Sequence, residues 1–283
     1  MAILAPLLLL ATALPNAVVL RPVANMYSKP STDAGVVSQA IYGANVTLLE
    51  QTNGWAHIRT FDDYTGWTPL SDLRSGPPYA SGSAAEVVNL FAHIYREASL
   101  TKHAPIVTVP FETRLETLAP PSPSAHWIEV RLPDERSGWI QAADVSFDVK
   151  PLTIPEMIDL ARRFIGVAPY TWGGTSSYGY DCSGFMQMLE RQRGIYMPRD
   201  AQPQADWSGV EPVRREDLQP GDLLYFGSSD KHITHTGMYI GDGKFINATA
   251  PMVRIDDLNN PHRNLVAMRR VRAKAADSST ASR

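Results

Sequence analysis

A cysteine nucleophile needs a sulfur that can ionise, a base to take its proton, and donors for the charge that develops on the attacked carbonyl. The stretch Tyr180-Asp181-Cys182-Ser183-Gly184-Phe185-Met186-Gln187-Met188-Leu189 carries the only cysteine of the chain. Phe185, Met188 and Leu189 fit helical spacing, and Asp181 is a good helix-capping residue. Cys182 is therefore expected in the first turn of a helix, where unpaired N–H groups and the helix dipole favour a thiolate. Trp172-Gly173-Gly174 supplies a glycine-rich lead-in that lets a substrate backbone come close. A lone cysteine is more often a small buried hydrophobe. Its setting here points to a nucleophile instead.

The base is sought downstream. Leu218-Gln219-Pro220-Gly221-Asp222-Leu223 reads as a turn entering a strand. His232 to Ile240 reads as a second strand, Gly241-Asp242-Gly243 as a turn, and Lys244-Phe245-Ile246-Asn247-Ala248 as the return strand. With a three-residue loop, Ile240 pairs with Lys244 and odd-numbered residues share one face. His235 and Asn247 then become near-diagonal neighbours. A two-residue loop would split them onto opposite faces. A Cys–His–Asn arrangement thus requires an odd loop. His232 and His235 have no third ligand at metal spacing, so no metal or other cofactor is expected. His57, His93, His103, His126 and His262 read as surface or barrel residues.

These groups sit in the last part of a chain of 283 residues, long enough for two or three small domains. The net charge is −3, with no run of like charges, which argues against a nucleic-acid partner. The 22 prolines suggest turns and short strands. The apolar opening run, with small-x-small sites at Ala11-Thr12-Ala13 and Pro15-Asn16-Ala17, reads as a signal peptide over residues 1–17. It is too short to span a membrane, and no Lys or Arg precedes Arg21. Export is expected, with no stable membrane insertion of the mature chain. The alternatives are an apolar segment packed on the body of the protein and a cytoplasmic location.

An internal repeat follows. Trp55 and Trp67 stand twelve residues apart, as do Trp127 and Trp139. Gly66-Trp67 matches Gly138-Trp139, and Asn25-Met26-Tyr27-Ser28 matches His93-Ile94-Tyr95-Arg96. Short alternating stretches between turn residues predict a small β-barrel for each copy, over residues 18–76 and 83–148. A generic β-sandwich is the competing reading. Beyond Lys150 the pattern changes. Met157, Leu160, Ala161 and Phe164 predict a helix capped by Thr153. Helices leading into a strand meander predict an α+β domain over residues 152–273. Residues 274–283 read as a disordered tail.

The two repeats resemble bacterial SH3-like domains. Residues 155–271 resemble the NlpC-type cell-wall peptidases, a branch of the papain-like fold. The matching motifs are Tyr170-Thr171-Trp172-Gly173-Gly174, Asp181-Cys182-Ser183-Gly184, Pro198-Arg199-Asp200, Pro220-Gly221-Asp222-Leu223, His235-Thr236-Gly237 and Gly241 through Ala248. The domain order is similar to that of enzymes cutting between γ-D-glutamate and a diamino acid in murein peptides. The resemblance implies Cys182 as nucleophile, His235 as base and acid, and Asn247 as the group orienting the imidazole, where relatives often carry a second His. It implies an oxyanion hole from the Cys182 N–H and the Tyr170 hydroxyl, with Trp172 lining the cleft.

The same resemblance implies that the first small domain walls one end of the cleft and helps select a free N-terminal L-alanine. Tyr64, Asp181 and Ser183 match positions near that amine. Two positions depart. Gly35 stands where an acid is expected, and Ala201 where a serine is expected. Peptidoglycan-derived peptides are the expected partner and a monomer the expected state. A second reading, from Asn247, Gly35 and Ala201, is a wall-binding protein with a weak or inactive peptidase domain. A papain-like acyltransferase or amidase is a third.

Overall fold

The computed structural model describes residues 15–120, 122 and 124–272. Most of the expected leader and all of the expected tail lie outside the described residues. The first strand already starts at Asn16, inside the expected 1–17 leader, and Ala17 to Val19 are fully buried. Cleavage after Ala13 leaves that strand whole; cleavage after Ala17 cuts it.

The first small domain is a seven-stranded antiparallel sheet curled around its own core. Its strands are β1 (Asn16–Val19), β2 (Val23–Tyr27), β3 (Val36–Ile41), β4 (Asn45–Thr52), β5 (Trp55–Arg59), β6 (Thr65–Pro69) and β7 (Leu73–Ser75). The second contains β8 (Ala84–Val87), β9 (Phe91–Tyr95), β10 (Val107–Pro110), β11 (Arg114–Thr117), β12 (Trp127–Arg131), β13 (Ser137–Gln141) and β14 (Val145–Ser146). Their strand orders are β3-β2-β6-β5-β4-β1-β7 and β10-β9-β13-β12-β11-β8-β14. Each position in one order is matched by the strand seven later in the other. The sequence repeat is therefore a repeat of topology.

The spacing of the tryptophans follows from the hairpin. Trp55 pairs with Pro69 and His57 with Trp67, so both indoles lie on the outer face while Ala56 and Ile58 fill the core. Tyr27 meets Trp55 edge-on with centroids 5.6 Å apart, and Tyr95 meets Trp127 at the same 5.6 Å. The glycine before the second Trp faces inward. A Cβ on Gly66 would stand 2.9 Å from Met26 Cβ, and one on Gly138 would stand 2.6 Å from Ile94 Cγ2.

The third domain is α+β. Helix α1 (Ile154–Arg162) opens with a capping box between Thr153 and Glu156. A two-stranded ribbon of β15 (Thr175–Ser176) and β16 (Gly179–Tyr180) precedes α2 (Cys182–Gln192) and the short α3 (Ala201–Ala205). The main sheet contains β17 (Val210–Pro212), β18 (Leu223–Ser229), β19 (His232–Gly241), β20 (Lys244–Thr249), β21 (Met252–Asp257) and β22 (Leu265–Val271), in the order β17-β22-β18-β19-β20-β21. Helix α2 is buried from Cys182 through Glu190 and packs across β19 and β20. Phe164 meets Tyr180 and Phe185 at its centre, at centroid distances of 5.5 and 5.6 Å. Among the described residues no helix is long and apolar enough to cross a membrane.

Both small domains dock on the third. Phe111 of the second enters the large core beside Phe164. Next to it Glu112 takes a two-pronged ion pair from Arg191, at 2.9 and 2.6 Å, and a hydrogen bond from Gln192. The first domain meets the ribbon through Gln39 and Thr175, and reaches α2 where Gln187 donates to Asp62.

The inward glycines give a stability test. Gly138→Ala should cost about 1–3 kcal/mol through overpacking and lower the thermal unfolding midpoint. Gly82→Ala, where a Cβ meets nothing within 4 Å, should leave that midpoint unchanged.

Candidate active site

The start of α2 is built around one carboxylate. Asp181 caps the helix by accepting from Gly184 N–H at 2.7 Å, and it also accepts from Gly173 N–H at 3.0 Å. Arg199 grips it from the other side, with Nη2 2.6 Å from Oδ2 and Nη1 3.0 Å from Oδ1. Arg199 further donates to Ser183 Oγ, Gly174 O and, across the domain boundary, Ser38 Oγ. The Trp-Gly-Gly loop lies hard against the helix, and a Cβ on Gly184 would run into Gly174 O. Cys182 is thereby held at the first helical position, where N–H groups lack partners within the helix.

The other half of the site is on the sheet. The β19–β20 connection differs from the three-residue loop expected from sequence. Gly241 pairs with Lys244 around Asp242 and Gly243, which both have positive φ, so the loop has two residues. A bulge at Ile240 adds one residue to β19, and beyond it Tyr239 pairs with Phe245 and Met238 with Ile246. The bulge restores the parity that a two-residue loop would have broken. His235 and Asn247 share a face, with Nε2 2.8 Å from Oδ1.

The amide of Asn247 is oriented by its surroundings. Its Nδ2 faces two acceptors, Asp256 Oδ2 at 3.1 Å and Arg254 O at 3.4 Å. Its Oδ1 faces a donor, Arg263 Nη2, at 3.4 Å. Asn247 Oδ1 must therefore accept from His235, so the imidazole proton is on Nε2 and Nδ1 keeps its lone pair. The thiol of Cys182 lies against the backbone N–H groups of Thr236 and Ser183, the former adjoining His235 in β19. A thiol, an imidazole with a free lone pair and an orienting amide are the parts that nucleophilic acyl transfer requires.

The other expected residues separate into groups. Tyr170 stands close enough to Cys182 to feel its charge, and its phenol is pushed up to about 12, chiefly by burial, so it stays a donor. Trp172 is 71% exposed beside it. Asp181 and Ser183, expected at the substrate amine, have their polar atoms engaged with Arg199, Gly173 and Gly184. Both side chains thereby hold the helix start. Tyr64 crosses from the first domain and donates to Asp200 Oδ2 at 3.0 Å. The two line a cleft of about 340 Å³ together with Asp62, Tyr196, Arg199 and Trp207. Gly35 is exposed just before β3 with open space around it, and Ala201 is buried at the start of α3. Sequence reasoning gave no role to Arg199, Asp256 or Arg263. Arg199 had a signal, its place in Pro198-Arg199-Asp200.

The NlpC/P60 family profile matches residues 166–272, and the profile of the bacterial dipeptidyl-peptidase SH3 domain matches residues 26–73. The γ-D-glutamyl-L-lysine dipeptidyl-peptidase of Bacillus cereus is 32% identical over 246 residues, covering 79% of this chain and 71% of that protein. The chain belongs to the NlpC/P60 family. An enzyme with the same name from Bacillus subtilis is 26% identical, over 77% of this chain and 73% of its own. The crystal structure of an NlpC/P60 family protein from Bacillus cereus superposes with a TM-score of 0.80 at 25% identity, covering 91% of this chain and all of that one.

Electrostatics in this NlpC/P60 site run against one expectation. Burial, and then the Asp181 carboxylate, push the Cys182 thiol up to about 11, despite the N–H groups of Thr236 and Ser183. The helix start does not outweigh desolvation here. Burial, and then Arg263, push His235 down to about 4, against the hydrogen bond to Asn247 and the charge of Asp256. Both shifts favour the neutral forms at pH 7, a thiol at Cys182 and an imidazole at His235. The thiolate fraction grows only as pH rises toward about 11. Alkylation of Cys182 by iodoacetamide should accordingly climb steadily into the alkaline range. A flat, fast rate from about pH 5 to 8 would instead mean a resting thiolate–imidazolium pair. The single cysteine makes the readout unambiguous.

Proposed function

We propose that this protein is a cysteine endopeptidase that hydrolyses the γ-D-glutamyl–diamino acid bond of murein peptides with a free N-terminal L-alanine. The observation that carries the reading is the Nε2–Oδ1 contact of 2.8 Å between His235 and Asn247, which leaves the imidazole Nδ1 free to accept a proton. The activity named for the Bacillus relatives supports the substrate class.

His235 Nδ1 takes the thiol proton as Cys182 sulfur adds to the γ-glutamyl carbonyl. The Cys182 N–H and the Tyr170 hydroxyl donate to the resulting oxyanion. The C–N bond then breaks, and His235 delivers the proton to the leaving amine of the diamino acid. Water, deprotonated by His235, hydrolyses the thioester and releases the dipeptide. Burial that keeps the thiol and imidazole neutral in the free protein makes proton transfer part of the attack.

Preference for a free amine is supported by the cleft under the first domain, where Asp62 and Asp200 supply carboxylates beside the Tyr64 hydroxyl. We propose export on the strength of the apolar opening segment. We propose the monomer as the acting unit. The wall-binding reading rests on Asn247, Gly35 and Ala201, and the Asn247–His235 contact favours the peptidase reading of the first of these.

Mass spectrometry of products from L-Ala-γ-D-Glu-diaminopimelate and its L-lysine counterpart tests the reading. Wild type should release the free diamino acid, Cys182→Ala should not, and N-acetylation of the alanine should abolish cleavage. Intact substrate in every reaction would remove the peptidase reading. Equal cleavage of the acetylated peptide would remove the amine preference alone.

A further inference from the structure

Behind the Cys182–His235–Asn247 line stands a group with no role in the chemistry described above. Asp256 lies on β21, two residues along from Arg254, the cross-strand partner of Asn247. Residues two apart share a face of a strand, so Asp256 points to the same side as Asn247. Its Oδ2 accepts from Asn247 Nδ2 at 3.1 Å and from Arg263 Nη2 at 3.4 Å, and its Oδ1 accepts from Arg254 Nε at 2.9 Å. The side chain is 13% exposed. Arg263 lies over the rings of Phe226 and Phe245, which fixes its guanidinium beside both Asn247 Oδ1 and Asp256.

We propose that Asp256 is a positioning residue: it fixes the amide of Asn247 in the orientation that selects the productive tautomer of His235. An amide presents oxygen or nitrogen to the imidazole with nearly the same shape, so sterics alone cannot choose. With oxygen toward His235, Nε2 carries the proton and Nδ1 can take one from sulfur. With nitrogen toward His235, Nε2 must be the acceptor, and the proton moves to Nδ1, the nitrogen that takes the thiol proton in the proposed mechanism. That tautomer cannot act as base. Asp256, an acceptor on the Nδ2 side, and Arg263, a donor on the Oδ1 side, both favour the first state. Without Asp256, Nδ2 keeps only the Arg254 carbonyl at 3.4 Å.

The arrangement has a particular meaning in a chain with Asn at position 247. An imidazole there could orient His235 by its own tautomer, whereas a freely turning amide could not. The inference rests on the proposed peptidase reading, but its first test does not require turnover. Long-range proton–nitrogen NMR of histidine-labelled full-length protein reports which ring nitrogen of His235 is protonated, with His235→Gln assigning the signal. Wild type should show the Nε2–H form. Asp256→Ala should show a mixture, and Asp256→Asn, which keeps a carbonyl acceptor, should retain the Nε2–H form. Should Asp256→Ala not fold, Asp256→Leu fills the same space without an acceptor and carries the same expectation. An unchanged Nε2–H signal in the folded Ala or Leu variant overturns the proposal.

The second test is a double-mutant cycle on the L-Ala-γ-D-Glu-L-Lys peptide. Asp256→Ala should lower kcat about tenfold with KM changed less than about twofold. In the Asn247→Ala background it should cost nothing further, because Asp256 acts through Asn247. Equal losses in both backgrounds overturn the proposal. Asp257→Asn, whose exposed carboxylate pairs with Lys244, should leave kcat unchanged. If wild type cleaves no γ-glutamyl peptide, the peptidase reading fails and the NMR result alone decides the role of Asp256.

Discussion

The buried pair between Arg199 and Asp181 is the contact on which the candidate site depends. Arg199 side-chain exposure is 1%, and its two nitrogens hold both oxygens of the carboxylate. Through that carboxylate and its own remaining donors, Arg199 joins the first turn of α2, the Gly173–Gly174 loop, Ser183 and Ser38 of the first small domain. A buried pair of this kind is weak evidence of net stability, yet losing one partner typically costs about 3–5 kcal/mol, since a charge is left uncompensated. Its structural consequence is position. Cys182 sits where the helix begins because Asp181, held by Arg199, caps that helix.

The sheet supplies the opposite half on a different principle. There the groups are arranged by strand register and by alternating donors and acceptors, from Arg263 and Asp256 through Asn247 to His235. Burial governs the charge state of both halves. It raises the thiol and lowers the imidazole, which favours the neutral form of each in the free protein. The small domains are part of this construction. The first places Tyr64 against Asp200, and the second anchors α2 through Glu112 and Phe111.

Local signals in the sequence were legible because local physics decides them. Thr153 and Asp181 cap their helices as their side chains dictate, and the twelve-residue tryptophan spacing encodes a hairpin present twice. The hairpin at Asp242-Gly243 shows where such reasoning reaches its limit. The expected face-sharing of His235 and Asn247 holds, but through a two-residue loop plus a bulge, which periodicity alone does not reveal. Arg199 and Asp181 are brought together by folding, and the Asp256–Asn247 contact crosses the β20–β21 hairpin in a register that residue spacing did not reveal. The raised thiol was hidden for a related reason. The helix start is visible in sequence, whereas the nine-residue buried face of α2 that desolvates the sulfur is a property of packing.

The central claim is that a covalent acyl-enzyme forms on Cys182 with help from a neutral His235. Rapid acid quench of enzyme mixed with L-Ala-γ-D-Glu-diaminopimelate, followed by peptide mapping, tests it directly. The account predicts a transient adduct of the L-Ala-γ-D-Glu acyl group on the peptide containing Cys182, lost within a turnover and absent in His235→Ala. Product formation with no adduct at Cys182, or an adduct on another residue, would contradict it.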